Sequence, residues 1–174
     1  MLSLLENNTR LKVLLLLFFG GCIIGWIYEE IFYFVTENWI GNRGFLYGPY
    51  LPVYGIGTIL MTLFLQNFKK HPIILFLLAM LITGILEYIT GILLWQIWQK
   101  RWWDYTGLFM NFQGYVCLRS VVTFGIGGLA LIYVIEPLTI RLVASFKNKT
   151  VSYLCIGSAL IMIIDLLITL LIRY

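Results

Sequence analysis

Charge is what this sequence has least of: Asp, Glu, Lys and Arg make up 11% of its 174 residues, against 61% hydrophobic. A soluble domain usually carries about a quarter of its residues as charges. Halving that share while keeping long apolar runs excludes an ordinary globular enzyme and leaves an all-α membrane protein. Histidine is nearly absent too. The one present, His71, lies in a turn, which argues against a His-based triad or a zinc site. No GxxxxGK[ST] motif occurs, so this chain is not expected to hydrolyse ATP itself. The 3 cysteines, Cys22, Cys117 and Cys155, lie far apart in apolar surroundings without a CxxC. They read as small buried residues rather than disulfide partners or metal ligands, and no metal or cofactor is expected.

What is present is length enough for four to six membrane crossings and no soluble domain beside them, so an ATPase would have to be another chain. The start looks like a signal peptide, with Arg10 and Lys12 before an apolar stretch. The run continues past Cys22 to Trp26 without a good cleavage box, so an uncleaved first helix is the expectation. A hydrocarbon core of about 30 Å takes roughly 20 helical residues to cross. Five segments approach that length, about 11–36, 51–68, 72–98, 116–143 and 151–172. Pro52 and Pro72 fall in first turns, where proline is tolerated. Pro137, late in the fourth segment, should kink or end it.

The formal charge of +4 reflects 12 Lys and Arg against 8 Asp and Glu. Such an excess in a membrane chain marks cytoplasmic loops, not nucleic-acid binding. Arg10, Lys12, Lys69, Lys70, Arg141, Lys147 and Lys149 fall on one side. Arg43, Lys100, Arg101, Arg119 and Arg173 fall on the other. The imbalance favours a chain with its N-terminus on the cytoplasmic side and its C-terminus outside. The outer loops, 37–50 and 99–115, are the long polar ones, where function tends to sit.

Residues 43–58 (RGFLYGPYLPVYGIGT) align without a gap to 113–128 (QGYVCLRSVVTFGIGG), matching Gly44 to Gly114, Gly55 to Gly125 and Gly57 to Gly127. A glutamate-bearing span precedes each copy. The expected architecture is a single transmembrane domain over 1–174: a polytopic helix bundle of five transmembrane helices. One hairpin covers about 11–68, its repeat about 72–143, and an extra helix 151–172 follows, as in parallel transporter repeats.

Ionisable groups inside such spans are costly, about 2.5–3.5 kcal/mol at the bilayer centre even on lenient scales. Glu87 stands near the middle of its span, with Gly84, Tyr88 and Gly91 on the same face. Glu29 and Glu30 stand in the outer part of the first span. Arg119 enters the fourth span, and Arg43, Tyr47, Asp104 and Asn111 occupy the outer loops. Two readings are open for these groups: structural ion pairs, with Glu87 or Glu30 against Arg119 or Arg43, or a polar site for a substrate or proton. Glu136 and Asp165 carry less information, one beside a proline and one isolated in the last span. Trp39, Trp95, Trp98, Trp102 and Trp103 read as an interfacial belt.

The motifs resemble those of a known family. Gly25-Trp26-Ile27-Tyr28-Glu29 is followed by Asn42-Arg43-Gly44-Phe45-Leu46-Tyr47-Gly48-Pro49 and by Pro52-Val53-Tyr54-Gly55. Glu87-Tyr88-Ile89-Thr90, Trp102-Trp103-Asp104-Tyr105, and Asn111-Phe112-Gln113-Gly114 with Cys117-Leu118 come next. In this order they look like the motifs of the Putative type IV ABC-transporter permease family, CmpB, over roughly residues 15–140. The chain departs from that pattern at Tyr115, where the family carries Arg; Arg119 is the nearest downstream substitute. The resemblance implies a permease subunit embedded in the lipid bilayer of the bacterial cytoplasmic membrane and working beside a separate ATPase or as a homo-oligomer. Glu29, Glu30, Arg43, Tyr47, Glu87, Asp104, Asn111 and Arg119 would form its pathway or rim. The alternative from a different class is an intramembrane enzyme acting on a lipid or lipid-linked substrate with a buried carboxylate as acid or base. A vitamin-binding transporter subunit fits less well, since that reading wants six spans.

Overall fold

The computed structural model describes residues 2–38, 41 and 44–172, and its regular elements among them are all helical. They are α1 (Asn7–Glu37), α2 (Pro52–Leu65), α3 (Pro72–Trp98), α4 (Leu118–Ala130), α5 (Glu136–Ser145) and α6 (Asn148–Ile172). A 3-10 turn, Gln66–Phe68, extends α2, and a π-helical turn, Leu131–Ile135, joins α4 to α5 without a break. Pro72 takes the first position of α3, where its missing N–H costs nothing. Cys22, Cys117 and Cys155 are buried and free.

Four helical stretches are long and apolar enough to cross a membrane: Asn7–Thr36, Pro72–Trp98, Leu118–Ser145 and Asn148–Ile172. The fifth expected span is different. α2 has 14 residues, about 21 Å of helix at 1.5 Å per residue, short of a 30 Å core. Nor does Pro137 end its helix, which continues to Ser145. The wide π turn just before it is the local distortion, a common accommodation where the regular ladder is interrupted. The basic stretch expected as an inner loop is therefore mostly helix, leaving only residues 146–147 between α5 and α6.

The chain divides into two compact units, Met1–Ile56 with Pro137–Tyr174, and Gly57–Glu136. In the first, α1 packs along α6. Lys12, only 8% exposed, donates its ammonium to the side-chain and main-chain oxygens of Asn148 at the start of α6. The Cys155 thiol lies 3.8 Å from the carbonyl of Lys12. Gly55 of α2 presses on α1, and a Cβ there would stand 2.5 Å from Cys22 Sγ and 2.7 Å from the Phe18 ring.

In the second unit α3 and α4 form the main packed pair. Its close contacts are also made by glycines. A Cβ on Gly125 would stand 2.6 Å from the Phe76 ring and 2.8 Å from Met80, and one on Gly128 would stand 2.6 Å from Ala79. Small residues of this kind let membrane helices approach closely enough for dispersion to hold them. Each unit thus sets a glycine between an aromatic ring and the side chain four residues further along a long helix: Phe18 and Cys22 in one, Phe76 and Met80 in the other.

Candidate functional site

The first residues of α4 and the upper half of α3 meet at Glu87. This carboxylate is 8% exposed. Its Oε1 accepts the Tyr105 hydroxyl at 2.8 Å and its Oε2 accepts the Ser120 hydroxyl at 2.8 Å. Ser120 also closes the capping box of α4, where the Cys117 amide donates to Ser120 Oγ at 3.3 Å. The carboxylate therefore stands one side chain away from the N–H groups of a helix start, the end that favours negative charge.

Above Glu87 the 99–117 segment folds on its own hydrogen bonds. Tyr105 N–H donates to the Gly114 carbonyl at 2.8 Å, Phe112 N–H to Val116 at 2.8 Å, and the Trp103 indole to Tyr115 at 2.9 Å. Asp104 is the organiser. It takes the Thr106 amide at 2.9 Å, the Thr106 hydroxyl at 2.6 Å and Arg101 at 3.1 Å. The Thr106 hydroxyl, its amide and then Arg101 hold the Asp104 carboxyl below the usual carboxylate range. Asn111 accepts the Gly114 amide at 3.3 Å. Gly114 has φ +74°, and a Cβ there would meet Asp104 Oδ1 at 2.7 Å, so both backbone and space demand glycine. Tyr115 is buried, with the Arg101 guanidinium 4.8 Å above its ring. The cation at this departure from the family pattern is thus Arg101; Arg119 is exposed on α4. Gly91, Leu94, Arg101, Trp102, Trp103 and Tyr115 line a small recess here.

The other unit has a comparable arrangement built from different residues. Glu29 accepts the Tyr54 hydroxyl of α2 at 2.8 Å, and a Cβ on Gly25 would collide with the Tyr54 ring. Glu30, one residue on, is half-buried. The 44–51 segment that leads into α2 is not helical, yet its amides are used. Leu51 N–H donates to the Cys22 carbonyl at 3.0 Å, at the midpoint of the 31-residue α1. Tyr47 N–H and Gly48 N–H donate to Asp165 of α6 at 3.0 and 2.7 Å, and the Tyr50 and Thr169 hydroxyls donate to the same carboxylate.

Of the residues singled out from the sequence, Glu87 is buried at the start of α4, Asp104 holds Thr106 and Arg101, and Asn111 accepts the Gly114 amide. Glu29 is tied to Tyr54, and Tyr47 enters through its backbone while its ring is exposed. Arg43 lies outside the described residues. Asp165 was passed over as isolated, and it binds four donors. Tyr105 and Ser120, the partners of Glu87, were not singled out either.

A bundle of long apolar helices with buried carboxylates beside helix starts defines an all-helical, multi-pass membrane protein. The chain belongs to the Putative ABC-transporter type IV family, CmpB, whose model matches residues 16–170. Family and helices together make it a membrane transporter component. No curated protein and no solved structure matches it.

Proposed function

We propose that the chain is a small permease subunit whose polar site is the buried Glu87 with Tyr105 and Ser120, roofed by the 99–117 segment. The observation that carries this is one carboxylate, 8% exposed, at the N-terminal end of α4. Discontinuous transporter helices place their ends beside bound polar groups in the same manner. Proton occupancy of Glu87, or a cationic group of a solute, would compete with the two hydroxyls for its oxygens. Asp104, Asn111 and Arg101 shape the roof, and Arg119 belongs to the rim.

In this reading α2 and the 44–51 segment together make the fifth crossing, as a broken span. Non-helical backbone is tolerated at membrane depth only where protein satisfies it, and Asp165 and the Cys22 carbonyl do so here. The α1–α2 and α3–α4 pairs are then two copies of one unit, with α6 as the extra helix. Three features support the duplication: matched left-handed glycines at Gly44 and Gly114, the matched ring-flanked glycines Gly55 and Gly125, and a glutamate at Glu29 and Glu87. Each glutamate lies 11 residues beyond the ring, Phe18 or Phe76, that packs on the glycine. Energy would come from a separate ATPase, with the exposed Arg141, Lys147 and Lys149 as its contact.

The test is reconstitution in liposomes, alone and with the products of adjacent genes, with solute and lipid flux measured. Glu87→Gln is expected to lower flux at least about tenfold, a loss of about 1.4 kcal/mol, while the melting temperature moves by only a few degrees. Flux that ignores this substitution removes the site. Absence of any flux, with or without an ATPase, removes the permease.

A further inference from the structure

The second unit holds another buried carboxylate, remote from Glu87. Glu136 is 2% exposed. Its Oε1 accepts the Gln66 side-chain amide at 3.1 Å, whereas its Oε2 is buried without a hydrogen-bond partner. Four residues before Gln66, Thr62 is fully buried, and its hydroxyl oxygen also lacks a partner. The backbone on both sides is irregular. Gln66 belongs to the 3-10 turn after α2, and Glu136 directly follows the π turn of Leu131–Ile135. Single π turns inside helices occur often at functional sites, where they turn a side chain off the regular register.

An ionised carboxylate with one bare oxygen in apolar surroundings is expensive, and such groups neutralise instead. Few charges are near enough to prevent it. Lys69, in the turn after Gln66, is within electrostatic reach. Its ammonium lies 5.9 Å over the Tyr133 ring, and the Tyr133 hydroxyl donates to the Lys69 carbonyl at 2.6 Å. Residues 57–65 of α2 and 72–79 of α3 carry no ionisable side chain, and His71 and Lys70 are exposed in the connecting turn. Tyr133 and Lys69 are thus tied to each other at the turn that follows Gln66.

We propose that Glu136 is a proton-exchange site, a carboxyl group that takes one proton from water onto Oε2 and returns it to water past the Gln66–Lys69 turn. A proton fits better than a metal ion. Among the described residues no cluster of three His, Cys, Asp or Glu exists, and the Lys69 ammonium disfavours a second cation. The site lies 16 residues along the α4–α5 helix from Ser120, about 24 Å. It neither uses Glu87 nor depends on the role proposed for it.

The experiment uses the full chain in detergent micelles, labelled with dicyclohexylcarbodiimide, which reacts with protonated carboxyls, and read by intact mass and peptide mapping. The expected result is an adduct at Glu136 whose rate falls about tenfold per pH unit above the midpoint. The adduct should be absent in Glu136→Gln. In parallel, infrared spectra of the wild type should show a protonated-carboxyl band that titrates over the same range and is missing in Glu136→Gln. If Glu136 gives neither adduct nor titrating band between about pH 5 and pH 9, the proposal is overturned. Protection from labelling by sodium or potassium at constant ionic strength would make this an alkali-cation site and overturn it equally.

Discussion

At Glu87 two hydroxyls share one buried carboxylate, so removing either takes a donor from a buried oxygen. Tyr105→Phe keeps the ring and deletes only the bond to Oε1. A buried acceptor stripped of its partner costs about 1–3 kcal/mol, and a lowered melting temperature in detergent is the expected reading. An unchanged melt would mean that water replaces the hydroxyl. Asp104 behaves differently because it is exposed and its partners are local. Its carboxyl is depressed in the folded chain, so the 99–117 clasp is fully present above the unfolded value near about 3.9. It weakens as pH falls through the lower, folded midpoint. Carboxyl carbon shifts should titrate below that unfolded value in the wild type and closer to it in Thr106→Ala. Glu87 was legible in the sequence because burying a charge is costly in any apolar span. Its partners were not, since Tyr105 and Ser120 lie 18 and 33 residues away and neither residue type is rare.

The 44–51 segment shows what a non-helical element needs inside a helical protein. Its left-handed start at Gly44, φ +108°, turns the chain, and its amides then go to Asp165 and to Cys22. Asp165→Ala removes the acceptor of two amides and two hydroxyls at once. Hydrogen exchange at Tyr47 and Gly48 should accelerate at least about tenfold, the loss of about 1.4 kcal/mol or more of local protection, while exchange in α3 stays unchanged. Equal acceleration in both places would mean general unfolding, not a local clasp. The sequence showed Asp165 only as an isolated acid because two of its four donors are backbone amides, which carry no residue identity. The same blindness hid the register of the first helices. The glycine motifs repeat at an offset of 70 residues, whereas Phe18 and Phe76, or Glu29 and Glu87, repeat at 58. The stretch from Glu87 to Gly114 is 12 residues longer than that from Glu29 to Gly44, and no ungapped comparison carries both.

At the scale of the molecule, helix boundaries were the most readable feature, since apolar runs and Pro52 and Pro72 mark them directly. Crossing number was not, because α2 is too short for a span and hydropathy cannot tell a broken span from a surface helix. Topology decides it. A cysteine placed at Asn8 and a tag appended after Tyr174 should react from opposite faces of the membrane, the Asn8 position from inside. Reaction from the same face would leave four crossings and remove the broken span.

The Asp165 clasp also has a temporal side. The amides of Tyr47 and Gly48 are made 118 and 117 residues before their acceptor. At translation speeds of about 5–20 residues per second, they wait on the order of ten seconds. During that interval the first outer segment has no fixed seat. The helix that finishes the first hairpin, α6, is therefore made long after the hairpin's own residues.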